Sequence, residues 1–180
     1  TGLGDVTALA AGGVERRTSP GSPFSGNLLT RGPGMSEGWT EDIEVLLAWK
    51  KDSGKHTSSY IDDTVWKNSI SKAGIKQMEQ LMQKQWDKTR WSELLERSEI
   101  FADESGLLSD SKRFELLNQA KNVIEETSSE FKPLLCMLGK SLVIVPKNID
   151  NEEDLELSKL IYELNEVGFI TKKTRIGRLF

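Results

Sequence analysis

The chain has 180 residues, with 24 Lys and Arg against 28 Asp and Glu, one His, one Cys and a formal net charge of -4. One cysteine excludes an internal disulfide, and with a single histidine it cannot assemble the usual zinc or iron-sulfur ligand sets. The acidic balance argues against general polyanion binding, and apolar runs such as Leu142, Val143, Ile144 and Val145 fall far short of the roughly 20 residues of a membrane-crossing helix.

Residues 1–34 hold Gly2, Gly4, Gly12, Gly13, Gly21, Gly26, Gly32 and Gly34, which is eight of the 15 glycines, and also Pro20, Pro23 and Pro33. Their few apolar residues follow no sustained period, so this segment is expected to be a disordered tail or leader that cannot offset its ordering entropy. Position 1 is Thr and the first methionine is Met35, where the composition changes. Arg16, Arg17 and Arg31 outnumber Asp5 and Glu15 and leave an organelle presequence open as an alternative to a featureless tail.

From residue 35 onward the spacing predicts a single, mainly helical domain over 35–180, with sub-units 38–100 and 107–180. Thr40 followed by Glu41, Asp42 and Glu44 suits a helix start, and Ile43, Leu46 and Leu47 continue it to about Lys51. A second helix is expected over 59–72, with Gly74 placed to end it. A third runs over 75–100 on Ile75, Met78, Leu81, Met82 and Trp86, with a break near residues 89–92. Ser109 caps a helix to about Glu126, whose buried face is Phe114, Leu117, Ala120, Val123 and Ile124. Pro133 suits the first turn of a short helix ending at Gly139. Leu142, Val143, Ile144 and Val145, ended by Pro146, read as a buried strand. A last helix follows from Asn151, with Leu157, Leu160, Ile161 and Leu164 on one face and Gly168 as its cap, before one or two strands over 169–180.

Motifs that carry chemistry are sparse. There is no GxxxxGK[ST] loop, and no GxGxxG in the body of the chain, so no nucleotide or other cofactor is implied. Cys136, flanked by Leu135, Met137 and Leu138, reads as inert packing. His56 lies in a polar loop. Asp62 and Asp63, or Glu152, Glu153 and Asp154, would be the carboxylates for acid-base work or a metal; adjacent helical residues point about 100 degrees apart, so dipole-favoured helix starts account for them better.

The tryptophans are the most specific feature. Gly38-Trp39-Thr40-Glu41-Asp42-Ile43-Glu44-Val45-Leu46-Leu47, Thr64-Val65-Trp66-Lys67-Asn68-Ser69-Ile70 and Gln80-Leu81-Met82-Gln83-Lys84-Gln85-Trp86 together resemble the Myb/SANT-like three-helix modules, including the trihelix type, over residues 38–92. The resemblance implies one bulky aromatic per helix, and a third helix in which Lys76, Gln77, Gln80, Gln83 and Lys84 would contact DNA. The C-terminal strand-helix-strand portion looks like the last helix and wing of a winged-helix domain, with Lys172, Lys173 and Arg175 in the basic turn.

The fold class expected from the sequence is therefore mainly α: a helical bundle with a short C-terminal strand-helix-strand, winged-helix-like portion. Its expected role is that of a non-enzymatic adaptor or subunit of an intracellular complex, cytoplasmic or nuclear. Other proteins are the expected partners, and no membrane. Trp49, Trp91 and Phe180 are the expected anchors, since they sit off the best apolar stripes or at the chain end. A Myb-like or winged-helix nucleic-acid-binding regulator is the alternative.

Overall fold

A computed structural model of the chain describes residues 12–19, 32, 34–51, 63–127, 130–136, 139–150 and 157–177. Their order is β1 (Val14–Arg17), β2 (Ser36–Trp39), β3 (Ile43–Trp49), α1 (Thr64–Leu81), α2 (Trp91–Glu104), α3 (Ser111–Thr127), β4 (Phe131–Leu135), β5 (Ser141–Pro146), α4 (Leu157–Glu166) and β6 (Ile170–Ile176). Two short 3-10 turns, Lys88–Arg90 and Leu107–Ser109, precede α2 and α3. With 49% helix and 25% strand in two sheets, the described chain is α/β, which corrects the expectation of a mainly helical bundle. Among the described residues no helix is long and apolar enough to cross a membrane.

The largest correction is at β3, where a helix is expected from Thr40 onward. Leu46 and Ala48 are fully buried on one face of the strand, and Ile43 and Val45 are buried on the other. That double burial belongs to a central strand, and β3 does lie between β5 and β6 in the sheet order β4-β5-β3-β6. It pairs antiparallel with β5, Leu46 opposite Ile144 and Ala48 opposite Leu142. A short apolar run flanked by acids satisfies helical and strand templates alike, and only the ladder partner decides. The acids that resemble a helix start are ion-pair partners of the basic C-terminal strand: Asp42 accepts from Arg175 at 2.8 Å, and Glu44 meets Lys173 at 2.8 Å.

β4 replaces the short helix expected from Pro133. It is an edge strand, where a residue without an N–H is tolerated, and Pro133 sits opposite Ile144. The strand expected over 142–145 is present as β5. The helices expected over 59–72 and 75–100 are redistributed. The Asp63 carboxylate accepts the N–H groups of Val65 and Trp66, at 2.8 and 3.2 Å, at the start of α1, and the helix then runs straight through Gly74. A Cβ at Gly74 would stand 3.7 Å from the Phe101 ring of α2, an ordinary packing distance, so the glycine lies where the two helices meet and does not end α1. The break comes later, between α1 and the turn at Lys88–Arg90, where Asp87 accepts the Thr89 N–H and hydroxyl at 3.0 and 2.6 Å. Gly168 does end α4, with φ of 84° and a 6→1 bond from the Phe169 N–H to the Leu164 carbonyl at 3.0 Å.

The contacts divide the chain into two units. The first gathers Thr1–Ile43, Met82–Arg90 and Arg175–Phe180. In it β1 pairs antiparallel with β2, so Val14–Arg17, inside the stretch expected to lack structure, is a strand. Arg16, 6% exposed, lies over the Trp86 ring and donates to Glu37 at 2.6 Å and to the Lys84 carbonyl at 3.0 Å. The Trp86 indole N–H donates to the Val14 carbonyl at 3.1 Å. Glu44–Leu81 and Trp91–Thr174 make the second unit. Its core joins Leu46, Ala48, Leu142 and Ile144 of the sheet to Leu116, Leu117, Ala120, Val123 and Ile124 of α3 and to Leu157, Leu160 and Leu164 of α4.

Charge pairs tie the second unit's elements together. Glu99 of α2 meets Lys132 of β4 at 2.7 Å and Lys121 of α3 at 3.4 Å. Burial pushes the Glu99 carboxyl up, but the hydrogen bond and charge of Lys132, with those of Lys121, outweigh it and hold the group below its ordinary value of 4.5. A depressed folded-state value means stability that is present above the ordinary value and is lost as pH falls through the folded one. The stability gap between the natural chain and Glu99→Gln is therefore expected to be full near neutrality and to close on acidification below about 4.5. Thermal melts of both proteins across that range measure it; a gap that persists unchanged in acid would show that the carboxylate's charge contributes nothing.

Candidate functional site

In the second unit, three elements end beside one another around a cleft of about 260 Å³. Lys50 and Lys51 follow the last residue of β3; Lys112, Glu115, Leu116 and Gln119 come from one face of α3, at helical three- and four-residue steps; and Lys140 comes from the turn before β5. Four lysines and one glutamate thus line it. The chain as a whole is acidic, so this sign reversal is local.

Each side of the cleft is fixed by its own contacts. Lys50 donates to Gln119 Oε1 at 2.5 Å and to the Val167 carbonyl at 2.8 Å, and its ammonium lies 4.8 Å from the centre of the Phe169 ring. Gln119 in turn donates to Glu115 at 3.0 Å. At the start of α3, Asp110 accepts the N–H groups of Lys112 and Arg113, at 3.0 and 3.2 Å. Burial pushes the Asp110 carboxyl up, yet the Arg113 N–H and guanidinium, the Lys112 N–H and the Lys140 charge together hold it below the usual carboxylate range. Arg113 is 1% exposed: its Nε donates to the Gly139 carbonyl at 3.3 Å, and its Nη1 lies 3.9 Å from Asp110, an ion pair longer than a hydrogen bond. The turn it holds is closed by the Gly139 N–H on the Cys136 carbonyl and the Cys136 N–H on the Ser141 carbonyl, both at 2.9 Å. Chemically, a preset group of cations attracts a multivalent anion and screens charge that develops on it.

The residues singled out in the sequence lie elsewhere. Trp91 is 4% exposed and donates its indole N–H to the Pro146 carbonyl at 2.8 Å, so it is core and not an exposed anchor. Trp49 ends β3, half-buried; Phe180 lies outside the described residues. Trp39 is in a strand, Trp66 in the first turn of α1 and Trp86 in the segment after α1, so among the described residues these three tryptophans do not lie one on each of three helices. Lys76 pairs with Glu104, and Gln77, 4% exposed, donates to Glu104 at 2.7 Å. Gln80 is half-buried on α1, and Gln83 and Lys84 are exposed beyond it. Lys172 is exposed on β6, whereas Lys173 and Arg175 are the ion-pair partners of Glu44 and Asp42. His56, Asp62 and the carboxylates of 152–154 lie outside the described residues, and Asp63 is the cap of α1. Burial pushes the Cys136 thiol up against a hydrogen bond from Ser141, which makes it a poor nucleophile. The sequence reading missed Lys51, Lys112 and Lys140 and placed Lys50 on a helix. The signal available was weak: lysine directly after apolar runs or glycine, at Lys50, Lys51 and Lys140.

No family model matches the chain. It is 28% identical over 181 residues to the pantoate kinase of Thermococcus kodakarensis, an alignment covering 98% of this chain and 53% of that protein. A solved structure described as a phosphotransferase related to the CoA biosynthesis pathway superimposes with a TM-score of 0.68 at 23% identity, over 97% of this chain and 49% of that one. At that identity the likeness speaks for the fold alone. The chain spans about half the length of the relatives it matches. These likenesses overturn the expectation of a non-enzymatic adaptor, and with it the Myb-like or winged-helix alternative. The relative aligned along nearly the whole chain is named a kinase, and the fold that this chain shares with a solved phosphotransferase is α/β.

Proposed function

We propose that this chain forms part of a small-molecule kinase, a phosphotransferase that moves a phosphoryl group to the hydroxyl of a small carboxylated acceptor, with pantoate the first acceptor to test. The observation that carries this reading is the alignment with a pantoate kinase along 98% of the chain. Physical support comes from the second unit. Phosphoryl transfer asks a protein mainly for positioning and for positive charge around the phosphoryl oxygens, and the chain gathers four lysines at one cleft. Among the described residues no group of three or more His, Cys, Asp or Glu could hold a metal ion, so no step is assigned through one.

The test is release of ADP from ATP and magnesium by the polypeptide as its gene encodes it, with and without pantoate and against other small hydroxy acids. ADP release that depends on, and saturates with, one hydroxy acid is the expected result. Release that is absent, or indifferent to every acceptor offered, would overturn the reading.

A further inference from the structure

Helix α1 meets the rest of the second unit along one narrow seam. Of its 18 residues, Ala73, Gln77 and Leu81 are buried, and one of these three is an amide. By contrast α3, with 17 residues, buries Arg113, Leu116, Leu117, Ala120, Val123 and Ile124. Among the described residues, none of α1 belongs to the buried cluster that joins the sheet to α3 and α4. On the outer side of α1, Val65 is 78% and Ile75 61% exposed, so their apolar surface contributes little to fixing the helix. A helix inside a protein draws most of its stability from the face it packs, and segments with few buried apolar contacts open at less cost than the whole fold.

The seam itself is largely polar. The Ser69 hydroxyl donates to the Ser105 carbonyl at 3.0 Å, and a Cβ at Gly106 would stand 3.9 Å from the Trp66 ring. Two donors on adjacent residues of α1 converge on the last residue of α2: the Lys76 ammonium on Glu104 Oε1, and the Gln77 amide on Glu104 Oε2 at 2.7 Å. Arg97 of α2 reaches the Gln77 amide oxygen at 3.5 Å, the outer limit of a hydrogen bond. The Lys76 hydrogen bond, with that of Gln77 and the charges of Lys76 and Arg97, outweighs desolvation and holds the Glu104 carboxyl below its ordinary value of 4.5. It is therefore ionised at neutral pH, and a buried amide that loses so strong an acceptor keeps the cost of its own desolvation.

We propose that α1 is a flap, which lifts from α2 as a unit while the sheet, α3 and α4 stay folded, and that Glu104 is the latch that closes it.

Hydrogen exchange of the polypeptide as its gene encodes it, at neutral pH and read by mass spectrometry of its peptides, tests both parts. Relative to their intrinsic rates, amides of α1 are expected to exchange about 100-fold or more faster than those of α3. Glu104→Ala is expected to raise exchange over α1 by about tenfold, with α3 and β5 unchanged. Asp103→Ala removes the neighbouring exposed acid, to which neither Lys76 nor Gln77 donates, and is expected to leave α1 as it was. Amides of α1 protected as strongly as those of α3 would overturn the flap. Unchanged exchange in Glu104→Ala, or an equal rise in Asp103→Ala, would overturn the latch. A rise in Glu104→Ala shared equally by α1, α3 and β5 would show that α1 opens only when the whole unit unfolds, which also overturns the flap. None of these outcomes depends on ADP release, so the flap and the kinase reading stand or fall separately.

Discussion

Arg113→Ala is expected to lower the unfolding free energy by about 3 kcal/mol, toward the low end of the roughly 3 to 5 kcal/mol lost when one member of a buried ion pair is removed. The side chain is 1% exposed, whereas its partner Asp110 is 23% exposed and can recover part of its solvation. The loss has three sources. The Gly139 carbonyl gives up the donor it has at 3.3 Å, Asp110 keeps its charge without the guanidinium beside it, and the volume of a long side chain is left to be filled in the core's margin. Urea unfolding of both proteins checks the figure through the midpoint at constant slope. A shift worth under about 1 kcal/mol would mean that the turn before β5 is held by its own backbone bonds and that the guanidinium is a passenger.

Leu160→Ala is expected to cost about 2 to 5 kcal/mol, the range for emptying a fully buried leucine. Leu160 is fully buried on α4, in the cluster that joins this helix to α3 and to the sheet strands β3 and β5. The same helix carries its own control: Tyr162, 61% exposed, faces away, and Tyr162→Ala is expected to stay within about 0.5 kcal/mol. Equal losses at the two positions would refute the orientation of α4. A much smaller loss at Leu160 would mean that the core collapses around the gap.

The parts of the fold that were legible in the sequence are those whose pattern has one solution. Leu157, Leu160 and Leu164 recur at helical spacing and end at a glycine with positive φ, and α4 forms there. Phe114, Leu117, Ala120, Val123 and Ile124 mark α3, although Phe114 itself, 52% exposed, is off the buried face; Leu116 takes its place. Four β-branched or leucine residues before Pro146 mark β5. Misreading concentrates where two periods fit the same residues. Ile43 to Trp49 reads as a helix because acids stand at its start, yet Glu44 and Asp42 meet Lys173 and Arg175, more than 120 positions along the chain. No local signal reports so distant a partner. Pro133 suits a first helical turn or an edge strand, and only the register with Ile144 chooses between them.

The site shows the same division more sharply. Sequence by itself determined the chain's limits: one thiol and one imidazole exclude disulfide and common metal scaffolds, and the spacing of leucines and valines sets α3, α4 and β5. Tertiary structure alone decided that Lys50, Lys51, Lys112 and Lys140, up to 90 positions apart, share one cleft in a chain whose net charge is -4. Composition sums charge over the whole molecule, whereas a ligand meets the local potential. That potential is fixed by which strand end, helix turn and hairpin the hydrophobic core brings side by side.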